Sequence, residues 1–108
     1  MTVSIVKRNR STGKVVTIPV TTSQTFRRLW IPAAELLGLT IVPLLSDPHW
    51  LEENERQLLL TELASLKQSA ELRGAMDPIQ YEDLIARVDT ISEALHDSSC
   101  DDYEYIFG

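Results

Sequence analysis

TVSIVKRNRSTGKVVTIPV, residues 2–20, places two β-rich stretches on either side of a polar turn. TVSIVKR (2–8) and KVVTIPV (14–20) are rich in β-branched residues and partly alternate apolar with polar positions, as strands do. Between them, NRSTG (9–13) supplies turn-forming residues and ends in Gly13. We therefore predict an N-terminal β-hairpin, which later elements must cover in order to bury its apolar side chains.

The next stretch, SQTFRRLWIPAAELLG (23–38), repeats apolar residues at helical spacing. Ser23 can cap its start, and Gly38 is placed to end it. Pro32 removes one backbone donor and clashes with the preceding turn. We expect the helix either to kink at Pro32 or to restart with this residue in its first turn.

LTIVPLL (39–45) is too short for another helix, and its apolar, β-branched run is typical of a strand buried on both faces. We predict a third strand here, packed into the sheet with the hairpin. Pro43 cannot donate a hydrogen bond to a neighbouring strand, so it favours a strand end or an edge position.

The second half of the chain predicts two helices that pack as an antiparallel hairpin. Asp47 and Pro48 offer a cap and a first-turn proline for the first helix, and Asp77 and Pro78 do so for the second. The apolar stripes of the two helices are Leu59, Leu63, Leu66 and Ala70 in the first, and Tyr81, Leu84, Ile85, Val88, Ile91 and Leu95 in the second.

At the C-terminal end, YEYIF (103–107) mixes aromatic, acidic and aliphatic residues and could add a strand to the sheet. The predicted order is β-β-α-β-α-α-β, an α+β fold with residues 1–108 in a single domain. Aromatic residues beside carboxylates also suit a protein interface, so this segment is either a structural strand or a binding edge.

Charge is unevenly distributed along the 108 residues. Residues 1–46 carry a net charge of +5 and residues 47–108 one of −11, which gives −6 for the chain. Such a field attracts a basic protein and speeds its association, and it repels nucleic acid and anionic membranes. The start, MTVSIVKRNR, lacks the apolar core of a signal peptide, and a single cysteine, Cys100, suits a reducing compartment. We expect a cytoplasmic protein.

Residues that could carry out a reaction are scarce. His49, His96 and Cys100 do not provide the paired spacings of a zinc site, and aspartates around Cys100 disfavour a reactive thiolate. Neighbouring carboxylates such as Glu52 and Glu53 do not face each other on a helix. The sequence therefore predicts neither an enzyme nor a metal or cofactor site, and it favours binding.

FRRLWIPAAELLGLTIVPL (26–44) resembles a pattern in small bacterial immunity proteins of polymorphic toxin systems, including contact-dependent and type VI secreted effectors. In that pattern a tryptophan–proline helix ends in a leucine–glycine–leucine turn, which leads to a short apolar strand and acidic, leucine-rich helices. The resemblance implies a cytoplasmic protein that binds a cognate toxin domain, often a nuclease, and blocks it without a cofactor.

Under this hypothesis, the acidic surface of the chain occupies the basic groove of a nuclease. The residues that we expect at the interface lie at one helix start and in the C-terminal segment: Trp50, Glu52, Glu53, Glu55, Asp101, Asp102, Tyr103, Glu104 and Tyr105.

Two alternatives stay open. An adaptor, chaperone or regulatory module could form a homodimer through its leucine-rich helices, with Leu58, Leu59 and Leu60 giving more apolar surface than one helical stripe needs. The basic turn KRNRSTGK (7–14) could instead contact phosphate, although the acidic remainder opposes binding to nucleic acid.

Overall fold

In the computed structural model, which describes residues 2–96 and 102–107, one sheet of four antiparallel strands carries helices on one of its faces. The α+β prediction is thereby confirmed, with an element order that broadly matches the expected one. The strands lie side by side in the order β2-β1-β4-β3, and their bounds are β1 Thr2–Asn9, β2 Val15–Thr22, β3 His49–Trp50 and β4 Tyr103–Phe107.

The predicted hairpin is formed by β1 and β2, which pair from Arg8 and Val15 to Thr2 and Thr22. Its turn is organised by Asn9, whose side-chain oxygen accepts hydrogen bonds from two backbone N–H groups within the turn. Gly13 adopts a φ of 73°, a left-handed conformation in which a side chain would be strained. The NRSTG segment therefore fulfils the role expected of it.

Helical structure follows β2 without a break. Its segments are α1 Ser23–Thr25, a π-helical turn Phe26–Trp30 and α2 Ile31–Leu37. The N-cap is Thr22, whose hydroxyl accepts from the N–H of Thr25 at 3.2 Å, and not Ser23 as predicted.

The π-helical turn accommodates Pro32. The N–H of Ile31 donates to the carbonyl of Phe26, five residues earlier, and Pro32 then lies in the first turn of α2. Pro32 therefore has the first-turn position that was one of its two predicted arrangements, although the helical structure is continuous. Gly38 ends α2 in the left-handed conformation, with a φ of 68°, and the N–H of Leu39 donates to the carbonyl of Ala34 at 2.8 Å.

The strand predicted at 39–45 is wrong: Val42–Ser46 form a 3₁₀ helix. The carboxylate of the buried Glu62 accepts from the N–H groups of Thr40, Ile41 and Val42 at 3.0–3.2 Å. These donors are consequently not available to a neighbouring strand, and Pro43 has no donor at all. The third strand is β3, a few residues further along.

The helix predicted to start at Asp47 and Pro48 begins later, as α3 Glu53–Gln68. Residues 49–51 instead pair with β4, where the N–H of Leu51 donates to the carbonyl of Tyr105 at 2.9 Å. Glu52 then caps α3 in a reciprocal capping box with Glu55.

A short helix, α4 Ala70–Ala75, connects α3 to α5 Pro78–His96. The start of α5 is as predicted, because the Asp77 carboxylate accepts from the N–H of Ile79 at 2.9 Å. Arg56 donates to the carbonyl of Leu95 and the Tyr81 hydroxyl donates to the carbonyl of Lys67, so α3 and α5 run antiparallel, as predicted.

The core lies between these helices and the sheet. It contains the predicted leucines of α3, although Ala70 is exposed and belongs to α4. In α5 the predicted stripe is buried except for the half-buried Ile85. Each fully buried aliphatic side chain contributes about 1.5–3 kcal/mol relative to its exposed state. Strand β4 supplies Tyr105 and Phe107 to the same core.

Candidate protein-binding surface

The two faces of the sheet differ sharply in burial. Val3, Ile5, Tyr105 and Phe107 share one face and are buried. On this face the Tyr105 hydroxyl donates to the carbonyl of Ala94 in α5 at 3.3 Å, so helix α5 covers it. Among the described residues, no side chain on the opposite face is buried.

An apolar row crosses that opposite face. Strand pairing places Thr17 opposite Val6, Val6 opposite Ile106 and Ile106 opposite Trp50, so the four side chains lie on the same side of the sheet. Val6 and Ile106 are half-buried, and Trp50 is 58% exposed. The open sheet face is the name we use for Val6, Arg8, Trp50, Glu104 and Ile106.

A charged row lies beside the apolar one. Glu104 is paired with Arg8 across the strands and also accepts from Nη1 of Arg10 at 3.2 Å. The Glu104 side chain is only 17% exposed. The predicted interface residue Glu104 therefore belongs to the open sheet face, and its charge is already matched by two guanidinium groups.

The acidic start of α3 is organised in the same way. The Glu52 carboxylate accepts from the Glu55 N–H, and Glu55 in turn accepts from the Glu52 N–H at 3.2 Å. Oε2 of Glu55 also lies 2.9 Å from Nε2 of His49, and Glu53 forms a bidentate ion pair with Arg56. Of these three glutamates, Glu52 is the most exposed.

The predicted residues of the C-terminal segment have different surroundings. Asp101 lies outside the described residues, and Asp102 is exposed. Tyr103 is half-buried, with the ammonium group of Lys7 4.5 Å from its ring centroid. Tyr105 is 1% exposed and packs in the core, so a partner could hardly contact its side chain.

Pairing of β3 with β4 brings the two predicted groups together. Trp50 lies opposite Ile106, and the backbone bond from Leu51 to Tyr105 holds the start of α3 against the C-terminal strand. Residues about 50 positions apart in the sequence thus form one surface, with Trp50 as its exposed aromatic group.

Sequence reasoning missed Val6 and Ile106. In TVSIVKR, Val3 and Ile5 alternate onto one face while Val6 falls on the other, and YEYIF likewise places Ile106 opposite Tyr105 and Phe107. Apolar residues at both odd and even positions of a strand indicate a sheet with apolar groups on both faces. That signal was available in the sequence.

Within residues 2–96 and 102–107, no group of three or more His, Cys, Asp or Glu side chains is placed to hold a metal ion. None of the helices in the described part of the chain combines the length and hydropathy needed to cross a bilayer. Comparison with protein-family models, with curated proteins and with solved structures finds no match to this chain.

Proposed function

We propose that this protein is an immunity protein that binds and neutralises a cognate bacterial toxin domain, with a basic nuclease as the expected partner. The single observation that carries the proposal is Trp50, which is 58% exposed beside an apolar row on the open sheet face. The resemblance of residues 26–44 to immunity proteins supplies the class of partner.

Exposure of a tryptophan side chain to water is unfavourable in free energy, and its burial at an interface is favourable. Tryptophan is among the residues enriched at positions that dominate binding energy, where it fills a pocket of the partner and excludes water. Val6 and Ile106 extend the apolar area beside it, and the matched charges of Arg8 and Glu104 form a polar rim. The open sheet face thus has the composition of a protein interface.

Charge supports a basic partner. The chain has a formal net charge of −6, and at distances beyond individual ion pairs a partner responds to this sum. Glu53, Glu55 and Glu104 face cationic or imidazole side chains of the chain itself. Glu52, whose carboxylate accepts from a backbone N–H, and Asp102 are exposed and are the better sources of contacts with a basic groove. No cofactor is required for such inhibition.

The first experiment is a growth assay in which the reading frame beside this gene is induced with and without this protein. Relief of toxicity by co-expression is the expected result. A neighbour that is harmless, or that stays lethal when both proteins are expressed, contradicts the proposal.

A variant pair then locates the interface. Trp50→Ala should weaken binding of the neutralised toxin by about 30-fold or more, because a central tryptophan contributes at least about 2 kcal/mol. Ile79→Ala is the matched control, since Ile79 is 79% exposed at the start of α5 and lies outside the open sheet face. Equal affinities of the two variants would remove Trp50 from the interface.

A second pair of variants tests whether the acidic residues speed association with the toxin electrostatically. Replacing Asp101 and Asp102 together by Lys should slow association and flatten its dependence on salt, because screening acts on long-range attraction. Replacing Glu71 and Glu82 together by Lys gives the same change in net charge on α4 and α5. A similar effect of both pairs would show that only the net charge matters.

One observation favours the alternative of a dimerising adaptor or regulatory module. Leu58 on α3 is 42% exposed, whereas its neighbour Leu59 is fully buried in the core. The exposed positions around it, Gln57, Thr61 and Ser65, are uncharged. If this surface mediates self-association, the chain is a dimer by light scattering and Leu58→Glu makes it a monomer; a monomeric chain excludes this alternative.

A further inference from the structure

Helix α5 leaves one end of the sheet uncovered. Val16 pairs with Lys7 and so belongs to the helix-covered face, yet it is 48% exposed. Ala94, in the last turn of α5, contacts the sheet at Lys7, and the strands continue beyond it toward the hairpin turn. A recess therefore forms between the end of α5 and the hairpin.

This recess has a volume of about 300 Å³. That size is at the lower end of the range for small-molecule sites, which is about 300–1,000 Å³. Its walls combine two lysines with aliphatic and aromatic surface: Lys7, Lys14, Val16, Ile18, Ala94 and Tyr103. A recess of this size and lining suits a small molecule with an apolar body and a negatively charged end.

The ammonium group of Lys7 is held in position by its surroundings. Its Nζ donates to the carbonyl of Ala94 at 3.1 Å and lies 4.5 Å from the ring centroid of Tyr103. An ammonium group has three N–H donors, so the bond to Ala94 does not use all of them. An anion would meet a charge that is already oriented and would not have to order a flexible side chain.

Ion pairing distinguishes these lysines from the neighbouring arginines. Arg8 and Arg10 both contact Glu104, whereas in the described part of the chain neither Lys7 nor Lys14 forms an ion pair. Among the residues that the structure describes, Lys7 and Lys14 thus place two cations without an ion-pair partner beside one recess, where they can meet the negative charge of a ligand.

We propose that this recess binds a small organic carboxylate. Its carboxylate would accept hydrogen bonds from Lys7 and Lys14, and its apolar body would lie against Val16 and Ile18. The inference is independent of the proposed neutralisation of a toxin, because the recess is on the face of the sheet opposite Trp50.

The test is a titration of the ¹⁵N-labelled chain, followed by NMR, with sodium benzoate. Saturable shifts of the amides of Lys7, Lys14, Val16 and Tyr103 are expected. Benzamide has the same ring without the charge, and inorganic phosphate has charge without an apolar body; both should bind at least about tenfold more weakly, the effect of losing about 1.4 kcal/mol.

Variants assign the binding to the lysines. Lys7→Gln with Lys14→Gln should weaken benzoate binding at least tenfold, while Lys67→Gln, a change to an exposed lysine on α3, should leave it unchanged. If the double variant does not fold, the exposed Lys14→Gln alone decides by the same readout. Absent or non-saturable shifts, equal binding of benzamide or of phosphate, or unchanged affinity in the lysine variants would overturn the proposal.

Discussion

Two short segments of this chain, 39–45 and 103–107, are both rich in strand-forming residues and have different structures. The sequence predicts a strand for the first and either a strand or a binding edge for the second. The 3₁₀ helix Val42–Ser46 takes up most of the first segment, and the second is β4, an inner strand of the sheet. The comparison shows that an apolar pattern indicates burial, whereas other interactions determine the backbone conformation.

In both segments the apolar residues indicate which side chains are buried. Val42 and Leu45 are buried in the first, and Tyr105 and Phe107 in the second. The backbone partners decide the conformation. In the first segment a carboxylate, that of Glu62, accepts from successive N–H groups, whereas in the second, strands β1 and β3 lie on either side.

The largest expected effect concerns the inner strand. Phe107→Ala should lower the free energy of unfolding by about 3–5 kcal/mol, because a buried ring is lost and a cavity remains. The partly exposed Leu44 of the 3₁₀ helix is the control, and Leu44→Ala should cost less than about 1 kcal/mol. Urea unfolding measures both, and a small effect of Phe107→Ala would contradict the position of β4 in the core.

Glu62 is the next test, since it sets the conformation of the first segment. Glu62→Ala leaves the N–H groups of Thr40, Ile41 and Val42 without their acceptor, and we expect a loss of about 3 kcal/mol in urea unfolding. Glu71→Ala, at an exposed position of α4, should change stability by less than about 0.5 kcal/mol. Comparable losses in the two variants would mean that the Glu62 contacts are not important for stability.

A smaller effect is expected for Pro43→Ala. If Glu62 holds the backbone, the 3₁₀ helix should persist and stability should fall by only about 0.4–1 kcal/mol, through the greater freedom of the unfolded chain. Backbone chemical shifts report the local conformation directly. Strand-like shifts at residues 42–46 in this variant would show that the proline, and not the carboxylate, excludes a strand.

The smallest effect belongs to an exposed carboxylate, Asp89, which offers a contrast with the buried Glu62. Its hydrogen bond and its charge raise the pKa of Lys67 above the usual 10.5. A raised folded-state pKa stabilises the fold below pH 10.5, and this contribution is lost as the pH rises through the folded-state pKa. Both side chains are exposed, so the contribution to stability is small.

Asp89→Asn should return the pKa of Lys67 towards 10.5, which an NMR titration of the lysine side chains can follow at alkaline pH. A Lys67 titration that is unaffected by the substitution would contradict the Lys67–Asp89 pair.

Local chemistry was enough to predict much of the fold. The turn ending in Gly13, the stop at Gly38 and the cap at Asp77 each depend on residues within a few positions along the chain, and each was found where it was expected. The one-residue error at the N-cap, Thr22 and not Ser23, is local, but the larger errors concern groups whose partner is distant. Glu62 lies about 20 positions from the segment it holds, and β4 lies more than 50 positions from the residues 49–50 that became β3.

In the candidate surface, too, the sequence indicates the types of residue but not their surroundings. Its acidic and aromatic residues could be chosen from composition, but which of them are exposed could not. Tyr105 and Tyr103 are two positions apart in one strand, yet the first is in the core and the second is half-buried. Glu104 was expected to face a partner, and its carboxylate is paired with Arg8, a residue of opposite charge from the other end of the chain.

The sequence by itself determined the α+β class, the hairpin, the helical second half and the excess of negative charge, because these depend on local periodicity and on counting. Only the tertiary structure decided which segment became the third strand, which carboxylates were already paired and that Trp50 lies beside Ile106. Long-range backbone and charge partners make these choices, and periodicity along the chain carries no information about which partner a group will meet.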